Sequence, residues 1–363
     1  MSIAQHLQDA WQRQAKWLLL LRPLSCVYRL GFLINKYRYQ AGWKQSYQAT
    51  VPVMVIGNIT IGGSGKTPLL IQLVKYLQSQ SVRVAVISRG YGGQGPFPAL
   101  LSRASTPAVV GDEPCQIVQA TGVAMAVGPN RQASIELLLA QGQYDLIISD
   151  DGLQHWALER QLEWIVLDNQ RGLGNAKLLP EGYLREPASR LEHSTVIEHA
   201  LDPQRELHMH LAVAPPYLLN PQVLDEQAIF NPQAQFNPQA QFNAVVGIGF
   251  PQRFYQTLHS MAVNDFQAHA FPDHHDYQIS DLQFEQQSPL ITTEKDAVKL
   301  AVLLQQHPEF KLPIWVVPVE AVLSKACYDL LEQQLSALGI KFSAQSDTAV
   351  MHQDATENAQ HSR

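Results

Sequence analysis

The sequence is poor in cysteine, with three among 363 residues. Cys26, Cys115 and Cys327 are widely separated and form no Cys-x-x-Cys pair. Neither a disulfide framework nor a zinc site is therefore expected, and a reducing cytoplasm fits. Basic residues are also in the minority, because 26 Lys and Arg stand against 32 Asp and Glu, giving a net charge of −6. This balance argues against a general nucleic-acid-binding protein, which would usually be basic.

An uninterrupted apolar run is missing as well, although a membrane-spanning helix needs about 20 mostly apolar residues. The most hydrophobic early stretch, residues 17–34, is broken by Arg22, Pro23 and Arg29, and it lies too far in for a secretory signal. Up to Lys44, basic residues nevertheless dominate, and Asp9 is the acidic exception. The basic residues are Arg13, Lys16, Arg22, Arg29, Lys36, Arg38 and Lys44.

From Pro23 onward, a helix would carry Arg29 and Lys36 on one face and the apolar side chains largely opposite. We therefore predict an interfacial amphipathic helix at a membrane surface. A helical hairpin packed on the protein's own core is the alternative.

Beyond this segment, short runs rich in Val and Ile alternate with helical patterns, which is typical of a parallel sheet covered by helices on both faces. We predict an α/β fold with a membrane-interface helical segment at 1–44, a P-loop NTPase-type core domain at 45–228 and a smaller C-terminal α/β domain at 244–342. Residues 229–243 contain a tandem NPQAQF duplication and are interpreted as a linker or insertion. The polar tail at 343–363 is predicted to be disordered.

The strongest local motif is GNITIGGSGKTP at residues 57–68, between a strand pattern and a helix pattern. Glycines let backbone N–H groups turn toward phosphate oxygens, and the helix N-terminus adds its positive end. Lys66 would reach the β- and γ-phosphates, and the Thr67 hydroxyl would bind Mg²⁺. Thr60 departs from the usual motif, which has glycine there, and a Gly-rich turn without nucleotide is the alternative. The predicted ATP-binding residues are Gly62, Gly63, Ser64, Gly65, Lys66 and Thr67.

A second motif is an apolar strand pattern that ends in two carboxylates, Asp150 and Asp151. The carboxyl end of such a strand lies at the edge of the sheet that also holds the P-loop, where Mg²⁺ must be held. An ordinary turn after a strand is the alternative. Together with Thr67, the two aspartates are the predicted metal ligands.

The P-loop alone does not name the reaction, because several classes of ATPase share it. A membrane-associated switch or partitioning ATPase is the main alternative to a kinase, although Ile61 stands where many of these carry a signature lysine. A non-enzymatic P-loop protein or metal chaperone is a second alternative, suggested by scattered histidines that lack paired helical spacing.

The sequence resembles the tetraacyldisaccharide 4′-kinases (lipid A 4′-kinases) of Gram-negative bacteria, from the N-terminal apolar segment to about Lys299. Beside the P-loop, the motifs that carry the resemblance follow in the same order: SRGYG at 88–92, GDEP at 111–114, DDGLQH at 150–155, LPEGYLREP at 179–187, FPDHH at 271–275 and TEKDA at 293–297.

The resemblance implies transfer of the γ-phosphoryl group of ATP, with Mg²⁺, to the 4′-hydroxyl of a membrane-embedded tetraacylated glucosamine disaccharide 1-phosphate, which yields the lipid A precursor lipid IVA. It also implies work at the cytoplasmic face of the inner membrane, with peripheral or interfacial anchoring. Nucleic acid is not an expected partner.

The resemblance further assigns Asp112 as the catalytic base, with His274 orienting it from the second domain and Lys66 acting on the phosphates. From the residues alone, Asp112 could equally cap a helix, and His274 and His275 would be surface histidines. The choice of His274 over His275 rests on the resemblance. The TEKD motif at residues 293–296 is interpreted as structural or hinge-like.

Charge that develops during transfer needs further cations and polar groups. The predicted substrate-contacting residues are Asn58, Arg131, Arg185 and Glu186. For the two arginines, a solvated surface position is the alternative.

Overall fold

The computed structural model describes residues 6–7, 10–11, 13–223 and 236–342. The predicted tail at 343–363 lies outside the described residues, and so does the first part of the predicted insertion at 229–243.

The described strands are β1 (Val53–Gly57), β2 (Val84–Ser88), β3 (Ala99–Leu100), β4 (Ala124–Val127), β5 (Leu146–Asp150), β6 (Leu162–Asp168), β7 (Thr195–His199), β8 (His208–Val213), β9 (Tyr217–Leu218), β10 (Phe242–Val246), β11 (Phe266–Ala270), β12 (Leu290–Thr293), β13 (Ile314–Val317) and β14 (Val319–Leu323). The described α-helices are α1 (Arg22–Gln40), α2 (Lys66–Ser79), α3 (Pro107–Val110), α4 (Asp112–Thr121), α5 (Arg131–Leu139), α6 (Pro251–Ser260), α7 (Glu294–Gln306) and α8 (Lys325–Ala337). Short 3₁₀ helices lie at Lys16–Leu21, Ala188–His193, Pro221–Val223 and Ile279–Leu282.

The first sheet has the order β14-β8-β7-β6-β1-β5-β2-β4-β3 within the described residues. Its pairs are parallel except at the two edges, where β14 and β3 run antiparallel to their neighbours. The central strands are continuous apolar runs buried on both faces, as expected for parallel strands covered by helices. Leu73 of α2 belongs to the core on one face and Ile135 of α5 to the core on the other. The predicted P-loop-type sheet with helices on both faces is confirmed.

The second sheet has the order β11-β10-β12-β13-β9, again counted within the described residues. Its first four strands are parallel, and β9 pairs antiparallel with β13. Helix α6 buries Phe254 and Leu258 in the core on one face, and α7 buries Leu300 in the core on the other. This is the smaller α/β domain that the sequence predicts.

The predicted end of the second domain at residue 342 was wrong. After Val317 the chain crosses back to the first sheet, where β14 pairs with β8 and α8 packs into the core. In exchange, β9 leaves the predicted first domain and joins the second sheet. The two crossovers run side by side, and Ala214 N donates to Pro318 O over 3.0 Å. A two-stranded ribbon thus continues through both sheets and forms the connection between them.

Helix α1 is held to the first domain along one side. Arg22 pairs with Glu181 at 2.9 Å, Ser25 Oγ donates to Leu178 O, and the Tyr28 hydroxyl donates to Arg185 O. The other side is apolar and exposed, and it presents Leu24, Val27, Leu30 and Ile34. The alternative of a hairpin packed on the protein's own core is therefore wrong. By length and composition alone, the stretch Lys16–Gln40 is long and apolar enough to cross a membrane, despite the breaks at Arg22 and Pro23.

Candidate active site

A cleft of about 1740 Å³ lies between the two sheets. Its first-domain wall contains the P-loop and the carboxyl ends of β2 and β5, and its second-domain wall contains residues that follow β10 and the start of α7. Ligands of α/β sheets usually bind at this edge. Because a pocket for one small molecule is usually about 300–1,000 Å³, the cleft has room for a nucleotide and a second substrate.

The P-loop has the backbone shape of an anion cradle. Gly62 and Gly65 have φ values of +95° and +91°, which disfavour other residues. A Cβ on Gly65 would lie 2.8 Å from Met209 Cε and 3.0 Å from His199 Nδ1, so the loop is closely packed from behind. Gly65 also caps α2 and offers no side-chain acceptor to its first turn. The N–H groups of that turn therefore form a binding site for phosphate.

Asn58 lies wholly buried beneath this loop. Its Nδ2 donates to Thr60 Oγ1 (3.3 Å), Gly62 O (3.3 Å) and Ser64 Oγ (3.1 Å), and its Oδ1 accepts from Lys66 Nζ (3.1 Å). The side chain therefore fixes the shape of the loop and aims the lysine. Its predicted contact with substrate stays a prediction.

Asp150 carries the feature expected of a metal ligand. Its Oδ2 accepts from Ser88 Oγ at 3.1 Å, whereas its buried Oδ1 has no hydrogen-bond partner among the described residues. Burial, with the nearby charges of Glu113 and Asp151, raises the pKa of this carboxyl to about 7. A buried oxygen without a partner needs one, and carboxylate oxygen is the ligand that Mg²⁺ prefers. Asp150 lines the cleft together with Thr67, so the donor set fits Mg²⁺.

Asp151 is engaged with two cations. Its oxygens accept from Arg185 Nη1 at 2.9 and 2.7 Å, and Lys66 Nζ lies 3.4 Å away. Although burial opposes ionisation, Lys66 and Arg185 lower the pKa of this carboxyl to about 2. Of the two predicted aspartates, Asp150 therefore has the oxygen available for a metal, and Asp151 links the P-loop to Arg185.

Arg131 is buried, so the surface alternative for this arginine is wrong. Its Nη1 donates to Gly128 O at 2.9 Å and its Nη2 reaches Asp150 O at 3.4 Å. Burial lowers its pKa to about 10. Burial and the charge of Arg131 lower the pKa of His155 to about 4, so this imidazole is neutral at pH 7.

Glu186 is also buried and accepts from Gln154 Nε2 at 2.7 Å. The same amide extends toward Asn58 O at 3.5 Å, and Gln154 Oε1 lies 3.4 Å from Arg185 Nη1. The predicted residues Arg185 and Glu186 thus join one network with Asp151 at the wall of the cleft, and their contact with substrate stays a prediction.

Asp112 of the first domain and His274 of the second domain are in contact, and His274 lines the cleft. Asp112 is the first residue of α4, where Gly111 is the cap, and its side chain makes no capping bond. Its Oδ2 lies 2.9 Å from His274 Nδ1, whereas His275 pairs with Asp281. Burial opposes ionisation of Asp112, but His274 and two lysines lower its pKa to about 2, and the hydrogen bond that His274 Nδ1 donates to Asp112 raises the pKa of His274. The structure therefore brings together the predicted base and the residue expected to orient it.

Several residues at the cleft were missed by sequence reasoning. The ring of Tyr91 lies 5.2 Å from that of His274, and Lys295 lies 3.4 Å from His274 Nε2. Arg253 reaches from α6 to Asp168 at the end of β6 over 2.6 Å. Tyr91 and Lys295 belong to recognised motifs and could have been noticed there, whereas Arg253 has no local signal.

Comparisons with known proteins agree with the motifs. A family model described as LpxK: Tetraacyldisaccharide-1-P 4′-kinase matches residues 17–336. A tetraacyldisaccharide 4′-kinase of Psychrobacter arcticus is 44% identical over 97% of this chain and 100% of that protein. Another of Actinobacillus pleuropneumoniae is 41% identical over 91% of this chain and 99% of that protein.

A solved structure has the same fold. The crystal structure of LpxK from Aquifex aeolicus in complex with ATP matches with a TM-score of 0.69 at 23% identity, covering 88% of this chain and 99% of that one. Because the family model covers most of the sequence and relatives above 40% identity align over nearly their whole length, the chain belongs to the LpxK family of tetraacyldisaccharide-1-P 4′-kinases.

Proposed function

We propose that this chain transfers the γ-phosphoryl group of ATP to the 4′-hydroxyl of a tetraacylated glucosamine disaccharide 1-phosphate. Membership of the LpxK family supports the reaction and the lipid disaccharide as substrate. The observation that supports the chemistry is the contact between Asp112 and His274, in which a carboxylate of the first domain meets an imidazole of the second domain that lines the same cleft as the P-loop.

The phosphates of ATP belong at the P-loop. Lys66 and the N-terminal turn of α2 supply positive charge to the β- and γ-phosphates. Thr67 and Asp150, with Asp151 beside them, would hold Mg²⁺, which neutralises charge on the phosphate oxygens when bound. Arg185 and Arg131 lie at the same wall of the cleft and would balance the negative charge that develops on the transferred phosphoryl group.

Asp112 is the proposed base. As the sugar oxygen bonds to the γ-phosphorus, its hydroxyl proton passes to the Asp112 carboxylate, the bond from that phosphorus to the bridging oxygen breaks, and ADP leaves. With a pKa of about 2, the carboxylate is a weak base. A loose transition state tolerates this, because the hydroxyl loses its proton late.

We infer that the chain works on a membrane surface, at the cytoplasmic face of the inner membrane. The acyl chains of the substrate stay in the bilayer, so the cleft must lie close to it. Helix α1 presents an exposed apolar side, and the segment around it is rich in basic residues, which favours an anionic lipid surface. Tyr28 of α1 also lines the cleft, so a lipid surface bound by this helix would lie next to the cleft.

The reaction is tested by transfer of ³²P from γ-labelled ATP to tetraacyldisaccharide 1-phosphate in detergent micelles. The wild type should label the lipid, and Lys66→Ala should not, since the phosphates lose their main cation. ATP hydrolysis by the wild type without labelled lipid, where a known 4′-kinase works, would favour the switch ATPase instead.

The membrane proposal is tested by sedimentation with vesicles containing anionic lipid. Val27 is 67% exposed on the apolar side of α1, so Val27→Glu should reduce the bound fraction. Gln333→Glu adds the same charge to an exposed position of α8 and is the control. Equal binding of both variants and the wild type would contradict the proposal.

A further inference from the structure

Two lysines from one face of α7 reach the Asp112–His274 pair. Lys295 and Lys299 are four residues apart, so they project from the same side of the helix. Helix α7 packs against α4, which begins at Asp112. Lys295 Nζ lies 3.4 Å from His274 Nε2, and Lys299 Nζ lies 3.7 Å from Asp112 Oδ2. The second domain thus brings two cations to the pair.

Lys299 is a buried cation whose contacts leave it available to Asp112. Its Nζ has no hydrogen-bond partner among the described residues, and it lies 3.6 Å from Asp296 Oδ1. Asp296 already accepts hydrogen bonds from Gly247 N, the Tyr277 hydroxyl and Thr293 Oγ1. Because a buried charge is costly without an opposite charge nearby, Lys299 stabilises the ionised form of the buried Asp112 carboxylate.

Lys295 acts on the imidazole. Its Nζ donates to Asp273 Oδ1 at 2.8 Å, which holds the ammonium beside His274 Nε2, and Glu113 Oε1 lies 3.8 Å away. An ammonium only donates hydrogen bonds. It is therefore compatible with a His274 that keeps Nε2 unprotonated and has its proton on Nδ1, where it donates to Asp112.

We propose that Lys295 and Lys299 are positioning residues for phosphoryl transfer: Lys299 is the buried counter-charge of Asp112, and Lys295 holds His274 in the tautomer with its proton on Nδ1. This proposal rests on the role of Asp112 as the base. Since both lysines and His274 belong to the second domain, the base is fully prepared only when that domain is docked on the first. The TEKD motif and the lysine that follows it one turn later thus have a chemical role rather than a purely structural one.

The pKa shifts of Asp112 and His274 have the directions that this arrangement of charges predicts. The hydrogen bond to Asp112 raises the pKa of His274, whereas burial and Lys295 oppose this rise. Against the effect of burial, His274, Lys295 and Lys299 lower the pKa of Asp112. The ionisable groups that face the pair are Tyr91, Glu113 and Cys115 from the first domain and Asp273, Lys295 and Lys299 from the second.

The first experiment compares the full-length Lys299→Met variant with the wild type in the ³²P assay across pH. We expect kcat to fall about 10-fold to 100-fold, less than the ~10²–10⁴-fold expected for loss of the base itself, with KM for ATP unchanged. The acid limb of kcat should move to higher pH, because Asp112 loses a cation that keeps it ionised. Lys299→Arg should restore the limb, and the exposed Lys311→Met is the control.

The second experiment follows His274 by ¹⁵N NMR in the same full-length protein, with His274→Gln to assign the signal. Lys295→Met should raise the titration midpoint of His274 and increase the share of the tautomer protonated on Nε2, whereas Lys295→Arg should not. These readings do not depend on how much protein is active, so a partly unstable variant still gives an answer.

The outcomes separate this inference from the proposed function. If Asp112→Asn is inactive while both Lys→Met variants keep the wild-type pH profile and His274 signal, the inference is overturned and the base remains. A loss of kcat in the lysine variants with an unchanged pH profile and unchanged His274 signal would mean a merely structural role, and this also overturns it. Full activity of Asp112→Asn would remove the proposed base itself.

Discussion

His274 Nδ1 lies 2.9 Å from Asp112 Oδ2, although 162 residues separate the two in sequence. The carboxylate begins a helix of the first domain, and the imidazole follows a strand of the second. Neither domain therefore holds the complete pair by itself. The proposed base therefore has its imidazole partner only when the two domains are docked.

Asp112→Asn should abolish transfer but not nucleotide binding. The amide keeps the size of the side chain but loses the basic oxygen, so kcat should fall by about 10²–10⁴-fold. The P-loop makes no contact through Asp112, so the Kd for ATP, measured by calorimetry, should stay at the wild-type value. Asp281→Asn is the matched control, because Asp281 also pairs with a histidine at 2.9 Å, away from the P-loop. A parallel loss of ATP binding in Asp112→Asn would refute the assignment as base.

The same variant should change the acid stability of the protein. The folded-state pKa of Asp112 lies at about 2, below its ordinary value of 3.8. A depressed pKa adds stability above the ordinary value, and this stability is lost as pH falls through the folded pKa. We expect the wild type to lose about 2 kcal/mol between pH 4 and pH 2 that Asp112→Asn does not lose. Parallel denaturation curves of the two proteins over this range would contradict the ion-paired state of Asp112.

Asn58→Ala should weaken ATP binding through the shape of the P-loop. The change removes the acceptor of Lys66 Nζ and the donor to Gly62 O and Ser64 Oγ. Each buried group left unpaired costs about 1–3 kcal/mol, so the Kd for ATP should rise by at least about fivefold. Asn220→Ala is the control, because Asn220 is an equally buried amide that bonds to backbone in the second domain. It should lower stability without changing the Kd, and equal effects on both Kd values would argue against a special role for Asn58.

Asp150→Asn should raise the Mg²⁺ concentration needed for half-maximal turnover. An amide oxygen is a weaker ligand than a carboxylate, while the bond from Ser88 Oγ is kept if the amide oxygen occupies the Oδ2 position. In EDTA, the variant should melt at or above the wild-type temperature, because it no longer buries an ionisable group without a partner. Asp145→Asn, at a surface pair with Arg83, is the control. An unchanged Mg²⁺ midpoint would remove Asp150 from the metal ligands.

The sequence predicts the parts of this protein that depend on local pattern. Apolar runs rich in Val and Ile predict the central strands, since burial on both faces demands such runs, and the glycines after β1 predict the phosphate-binding loop. The strand Thr195–His199 was missed because polar side chains interrupt its apolar run. The sequence did not predict that β14 belongs to the first sheet. Pro318 alone separates β14 from β13, so the two strands look like consecutive strands of one domain.

The site divides in the same way. The roles of Lys66 and Asp150 could be predicted from their motifs, because each motif has a fixed position relative to a strand of the sheet. Asn58 was expected to contact substrate, but its burial beneath the loop depends on the packing of the whole edge. Lys295 lies near His274, which follows another strand of the same domain, and Lys299 lies near Asp112 of the other domain. No spacing within their helix encodes these distances.

The ion pair between Arg253 and Asp168 should contribute to domain docking. Arg253 Nη2 lies 2.6 Å from Asp168 Oδ2, and Asp168 is 5% exposed, so removal of the arginine leaves a buried carboxylate without its cation. We expect Arg253→Met to lower the free energy of unfolding by about 1–3 kcal/mol. Because the pair joins α6 to the end of β6, the loss should also slow transfer by reducing the docked fraction. Asp168→Asn combined with Arg253→Met should cost less than the sum of the two single changes. Strictly additive effects in denaturation and in kcat would mean that the pair does not couple the two domains.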